Sequence, residues 1–328
     1  MDIIVKTIKR TSIKDKFKNK KGELLKLGII LLIAVLIIYS LGKEVKGIDV
    51  EKTLYILKEL DINSIFILII MGSLSFVFTA SYDFTVSRYF DFNLKLSKVI
   101  AIGWISNSIN NITGMGGIGG AGIRTLLYTR SGVPFKKAVN ANFYIILSTM
   151  TGLSTMILLG FLGIFNFSSL LGERRLYSVI MVLIVLYLPL YFLLNKMKFI
   201  KERVLRNHVE AHYRLKLFLY SASLGEWVSA SLFFAMIIGN LSPDLPVKSI
   251  MGVYFVSIAL GLASFLPGAV GSFDFASLLG LKLIGAQYEN ALAGIILFRV
   301  FYYLVPWIVA MVLMAAAFLR KRLIKYNI

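Results

Sequence analysis

Long apolar runs alternate along this chain with short blocks of charge. Runs at 24–41, 62–82, 139–165, 176–195, 217–239 and 291–319 are each close to or above the roughly 20 residues an α-helix needs to cross a hydrocarbon core of about 30 Å. Two further apolar regions, 97–129 and 250–289, are interrupted in the middle by glycine-rich sequence, so each reads as a pair of half-helices. A bilayer core offers no water to backbone N–H and C=O groups, so breaks at that depth need a reason. The pattern predicts a single integral domain over 1–328. It is an all-α polytopic membrane protein of about six transmembrane helices plus two re-entrant helical hairpins.

Charge supplies the orientation. The formal net charge is +19, which in a soluble protein would suggest nucleic acid. Here the basic residues cluster at the ends of apolar runs, where they act as topology signals and contacts for anionic membrane lipids, and no nucleic-acid partner is expected. The blocks in the N-terminal segment 1–23, in 196–216 and in the tail from Arg320 to Lys325 place both termini in the cytoplasm. The loop 42–61 carries four lysines, offset by its acids. No small-x-small cleavage site follows the run 24–41, which reads as an uncleaved first span. Parity then makes both interrupted regions enter and leave on one side, the first opening to the cytoplasm and the second to the exterior. A shift of about 153 residues lays one half of the chain, about 24–165, on the other, about 176–319. Each half has an odd number of crossings, so the second is inverted, a plan in which broken helices meet near the bilayer midplane.

Cysteine is absent, which excludes disulfides, thiol catalysis and thiolate metal sites. His208 and His212 sit in a basic segment without a third ligand, and no metal or other cofactor is expected. No Walker motif is present, so the chain shows no ATP engine.

The candidate chemistry gathers at the breaks. Thr113–Arg124 reads T-G-M-G-G-I-G-G-A-G-I-R. Its G-x-G-x-x-G lacks the preceding strand that a dinucleotide site requires. Gly116 and Gly120 fit close helix packing at small-xxx-small spacing. Alternatively Gly116, Gly117, Gly119 and Gly120 form an unwound tip whose N–H groups, helped by Arg124, face a lipid phosphate. Ahead of it, Ser106, Asn107, Ser108, Asn110 and Asn111 either bond to each other or line a wet cavity. The second break, Ser264–Asp274, is unwound by Pro267, Gly268 and Gly271. Asp274 either caps the next half-helix or meets a cationic head group. Arg299, followed by Tyr302, Tyr303 and Pro306, is deep enough to require a partner, for which Asp274 and Glu226 are the candidates. Glu226 is the only acid within 217–239. Asp83 sits at the inner end of 62–82 as an interface residue.

Three motifs together, N-x-x-G-x-G-G-x-G-G-A-G-x-R-x-L-L-Y at 111–128, L-P-G-x-x-G-S-F-D at 266–274 and F-R-x-x-Y-Y-x-V-P at 298–306, resemble the membrane flippase domain of the multiple peptide resistance factor family. That domain is also called the lysylphosphatidylglycerol synthase transmembrane region. The resemblance covers nearly the whole chain, with Ala269 standing where a second glycine is common. It implies a membrane domain that moves lysyl- or alanyl-phosphatidylglycerol to the outer leaflet of the bacterial cell membrane, where the added positive charge repels cationic antimicrobial peptides. In the family a cytosolic domain makes that lipid. This chain stops at Ile328 after its basic tail, so covalent chemistry is not expected of it, and a separate synthase is a candidate partner alongside a second copy.

On this reading Arg124, Arg299 and the hairpin N–H groups hold phosphate while Asp274 and Glu226 attract the amine, with Asn107, Asn111 and Tyr302 completing a polar cavity. Two alternatives stand beside it. One is transport of another glycolipid, polyprenyl lipid or anion by the same architecture, and the other is a docking role for a separate synthase.

Overall fold

The computed structural model describes residues 49–113, 118–167, 175–193 and 213–326. The predicted first span 24–41, the basic segment 1–23, most of 196–216, Gly116, Gly117, His208 and His212 lie outside the described residues.

Polar residues set where the first described helices begin. The Asp49 carboxylate accepts from the Lys52 amide at 2.9 Å and caps α1, Val50–Lys58, while Asp61 accepts from the Ser64 amide at 3.2 Å and caps α2, Ile62–Tyr89. Each carboxylate satisfies an N–H that has no partner inside its helix and faces the positive end of the helix dipole. The segment 49–61 is therefore more than a loop, because Asp49 and Asp61 serve as caps and α1 buries Thr53.

Two short helices follow as a hairpin, α3 at Leu96–Thr113 and α4 at Ile118–Arg130. Then come α5 at Phe135–Phe161, α6 at Arg175–Leu193 and α7 at Tyr213–Leu241. A second hairpin joins α8, Val247–Ala263, to α9, Ser272–Leu283. The chain ends with α10, Tyr288–Phe298, a π-helical turn over Arg299–Leu304, and α11, Val305–Tyr326. All regular structure among the described residues is helical. Among the described residues, four helical stretches, Ile62–Tyr89, Phe135–Phe161, Tyr213–Leu241 and Tyr288–Ala317, are long and apolar enough to cross a membrane, and two apolar stretches, Tyr177–Leu193 and Val247–Ala263, are shorter. The protein is an all-α polytopic membrane protein.

Among the described residues, the second expected break falls where Pro267, Gly268 and Gly271 put it. The second arms of the hairpins have 13 and 12 residues, short of the roughly 20 that span a bilayer. The last span is continuous but carries a π-helical turn, which its apolar pattern did not reveal. Pro306 has no N–H to close the helical ladder, and the turn just before it widens to π spacing.

Packing places both hairpins around a central pair of long helices. Helix α7 packs on α2, α5, α8 and α10. Helix α3 lies on α2 and α11, and α8 lies on α7, α6 and α5. Glycines allow these close approaches. A Cβ on Gly72 of α2 would sit 2.7 Å from the Phe301 carbonyl, and one on Gly120 of α4 would sit 2.6 Å from the Asn110 Cβ. The second contact is the small-residue packing expected of Gly120. The core between α7, α8, α9 and the π turn is aromatic. Phe298 and Tyr302 stack with centroids 4.9 Å apart, and Phe234 meets Phe298 edge-on at 5.2 Å. Such pairs add about 0.5–1.5 kcal/mol beyond the area they bury.

Lys216, the last residue of the basic block 196–216 in the sequence, is buried in the first turn of α7. Its Nζ donates to the Tyr191 carbonyl at 3.1 Å, occupying an acceptor that the C-terminal end of α6 leaves open.

Candidate functional site

The second hairpin turns through a run of unusual backbone. Phe265, Gly268, Ala269 and Gly271 all have positive φ, at 55°, 59°, 51° and 81°. Glycine adopts that region freely, whereas an L-residue pays about 1–2 kcal/mol for it. The turn leaves the carbonyls of Gly268 and Ala269 without helical partners, and Arg299 takes both. Its Nη1 donates to the Gly268 oxygen at 2.9 Å and its Nη2 to the Ala269 oxygen at 3.2 Å.

The same guanidinium forms a two-pronged pair with Asp274, Nε to Oδ1 at 2.7 Å and Nη2 to Oδ2 at 3.0 Å. It also lies over the rings of Tyr303 and Phe273, 4.7 and 5.0 Å from their centroids. Asp274 accepts from the Gly271 amide at 2.8 Å and so caps α9 as well. Of the two partners considered for Arg299, the structure brings it to Asp274 and leaves Glu226 elsewhere.

The first hairpin holds its own buried pair. Arg124 on α4 is 3% exposed, and its Nε lies 2.9 Å from Oδ1 of Asp83, which is fully buried. Arg124 Nη2 donates to Asn107 Oδ1 at 2.8 Å and Nη1 to Asn142 Oδ1 at 3.3 Å, while the Tyr128 hydroxyl donates to Asp83 at 2.7 Å. An arginine at this depth costs several kcal/mol unless paired, and this network supplies the pairing. Gly103 makes room for it, since a Cβ there would come 2.7 Å from Asp83 Oδ2.

Asp83 is therefore not an interface residue at a helix end. Helix α2 continues to Tyr89 and carries it into the core. The two breaks end in residues of opposite charge, as the sequence shows, but each charge is met by a partner of its own.

Between the hairpins lies a cavity of about 310 Å³. Asn107, Asn110, Asn111 and Arg124 line it from the first hairpin, and Tyr254, Gly268 and Ala269 from the second, with Glu226, Trp227, Tyr302 and Tyr303 on the remaining walls. Glu226 accepts a hydrogen bond from the Tyr82 hydroxyl at 2.7 Å. Trp227 beside it donates to the Thr149 carbonyl at 2.7 Å and fixes that wall.

The structure thus brings Arg124, Glu226, Asn107, Asn111, Tyr302 and Gly268 to one cavity. Asp274 and Arg299 stand behind its wall, holding the Gly268 and Ala269 carbonyls. Gly271 caps α9, and Gly119 and Gly120 pack on the first arm. The polar run ahead of the first break divides: its asparagines face the cavity, whereas Ser106 and Ser108 are buried with hydroxyl oxygens that have no hydrogen-bond partner among the described residues. Tyr82, Asp83, Tyr128 and Asn142 were not singled out as site residues from sequence. For Asp83 there was a signal: an ionisable residue in an otherwise uncharged helical run demands a partner.

The helices and the charged, asparagine-lined cavity define a multi-pass membrane protein with an internal polar site flanked by two broken hairpins. Comparison with known proteins agrees with that class. The family model described as Lysylphosphatidylglycerol synthase TM region matches residues 24–310, and the chain belongs to this family. Similar proteins include the phosphatidylglycerol lysyltransferase of Staphylococcus aureus (strain MRSA252), 30% identical over 303 residues, which are 92% of this chain and 35% of that protein. The protein of the same description from Staphylococcus haemolyticus (strain JCSC1435) is 28% identical over 302 residues, 91% of this chain and 35% of the relative. This chain spans about a third of the length of these relatives.

Proposed function

We propose that this chain moves an aminoacylated phosphatidylglycerol, such as the lysyl ester, from the inner to the outer leaflet of a bacterial cell membrane, with no covalent chemistry of its own. One observation carries the reading: a cavity that mixes carboxylate, guanidinium, amide and phenol groups lies between the two broken hairpins. A zwitterionic or cationic phospholipid head needs such a mixture when its acyl chains stay in the bilayer.

Asn107, Asn110 and Asn111 would hydrogen-bond the phosphodiester and ester oxygens, and Glu226 would receive the ammonium. Arg124 keeps its ion pair with Asp83 and presents positive potential to the phosphate. Arg299 and Asp274 hold the second tip in shape. Each hairpin packs its first arm on a long helix, α3 on α2 and α8 on α7, which supports two inverted halves rocking against each other to open the cavity to each leaflet in turn. Both termini would lie in the cytoplasm, and the exported charge would lower binding of cationic antimicrobial peptides.

The test is leaflet-resolved. Purified protein is reconstituted in liposomes holding lysylphosphatidylglycerol, and an impermeant amine reagent reports its appearance in the outer leaflet. Movement above protein-free liposomes, reduced at least tenfold by Glu226→Ala or Asn111→Leu, is expected. Movement of phosphatidylglycerol, a polyprenyl phosphate or a soluble anion at the same rate would replace this reading with the broader transport one. No movement, with capture of a separate synthase, would favour a docking role.

A further inference from the structure

The charges around the cavity do not balance pair by pair. Arg124 has Asp83 at 2.9 Å and Arg299 has Asp274 at 2.7 Å. Glu226 is a third carboxyl group, and its hydrogen bond comes from a neutral phenol, Tyr82. The ionisable groups facing it from the surrounding elements are Tyr82 on α2, Arg124 on α4 with its acid behind it, Tyr254 on α8, and Tyr302 and Tyr303 on the π turn. The phenols carry no charge near neutrality. An ionised Glu226 would therefore leave one negative charge in excess in a low-dielectric wall, which costs several kcal/mol unless a cation or a proton compensates it.

We infer that Glu226 is the proton site of the transporter, and that the protein exchanges one proton for each lipid with a singly positive head group. This rests on the lipid-movement reading above. Before the head group enters, Glu226 is the neutral acid, with Tyr82 bonded to Oε2 and the proton on Oε1. As an ammonium group arrives, the O–H bond breaks, the proton passes to cavity water, and the carboxylate pairs with the ammonium. The wall is neutral before and after. When the lipid leaves on the other side, Glu226 takes a proton from that side. The lysyl ester of phosphatidylglycerol carries two ammonium groups and one phosphodiester, a net charge of one, so the exchange moves no net charge. Lipid then follows a pH gradient and ignores membrane potential.

The test uses the full chain in liposomes containing lysylphosphatidylglycerol, with faces held at about pH 5.5 and 6.5, where both amines stay charged. One-for-one exchange predicts that the lipid accumulates in the leaflet facing the acidic side, about tenfold per pH unit. It also predicts that a potassium diffusion potential leaves the ratio unchanged. An entrapped pH dye should report one proton per lipid moved. Lipid movement that ignores the pH gradient and follows the potential overturns the proton exchange and leaves the flippase reading standing, whereas absence of any lipid movement overturns both. Glu226→Gln should abolish the dependence on pH gradient, and a variant that retains it overturns the assignment. Should that variant fail to fold, Tyr82→Phe keeps the acid and loses its donor. It should shift the pH at which exchange is half-maximal, and an unshifted profile overturns the assignment.

Discussion

Gly268 lies so close to Ile112 that a methyl group on the glycine would sit 3.0 Å from the Ile112 carbonyl oxygen. The two residues belong to different hairpins, so the second turn packs against the backbone at the end of α3. Gly268 and Asn111 both line the cavity at this contact.

Gly268→Val tests that contact. At φ 59° a β-branched residue adds about 1–2 kcal/mol of backbone strain before any clash with the first hairpin. Melting in detergent should fall, and lipid movement should slow at least tenfold because the second turn no longer seats against the end of α3. A variant with wild-type melting and wild-type rate would show that the contact is dispensable.

Ala269→Gly tests the strain from the other direction. Ala269 adopts φ 51°, a cost of about 1–2 kcal/mol that glycine avoids, against about 0.5–1 kcal/mol of added unfolded-chain entropy. A net gain of about 0.5–1 kcal/mol is expected, read as a higher melting temperature. A lower one would mean that the methyl contact toward Gly261 outweighs the backbone.

The buried pair of Asp83 and Arg124 is tested by a double-mutant cycle. Asp83→Ala alone strands the guanidinium and should cost about 3–5 kcal/mol, whereas adding Arg124→Met removes the stranded charge and should restore part of that loss. Unfolding in graded denaturing detergent measures both, and equal losses in the single and double variants would exclude the coupling.

Arg299→Lys separates charge from shape. Lysine keeps the charge but cannot span two carbonyls and both Asp274 oxygens, so about 1.5–3 kcal/mol of stability should go. Limited proteolysis should then cut the 264–271 turn faster. Protection equal to wild type would mean that the charge suffices.

Much of this architecture is legible along the chain because its causes are local. Pro267, Gly268 and Gly271 act on their own backbone, so the second break could be placed to within a few residues, and the length of each apolar run sets how far a helix can reach. The asparagines of the first hairpin and the acid at Glu226 stand out against apolar surroundings wherever they point. The π turn at Arg299–Leu304 was not foreseen, because Arg299 and Pro306 mark the last span without saying how its backbone hydrogen bonds rearrange.

Which charge meets which was beyond that reach. The sequence by itself determined the number of broken hairpins, the helical class and the need for each buried charge to find a partner. Only the tertiary structure decided that Arg124 pairs with Asp83, that Arg299 takes Asp274, and that Glu226 is left with Tyr82. The reason is physical: a partner across two helices depends on how each is rotated about its axis. That rotation comes from close packing at positions such as Gly72, Gly103 and Gly120, where one added methyl would displace a neighbouring element.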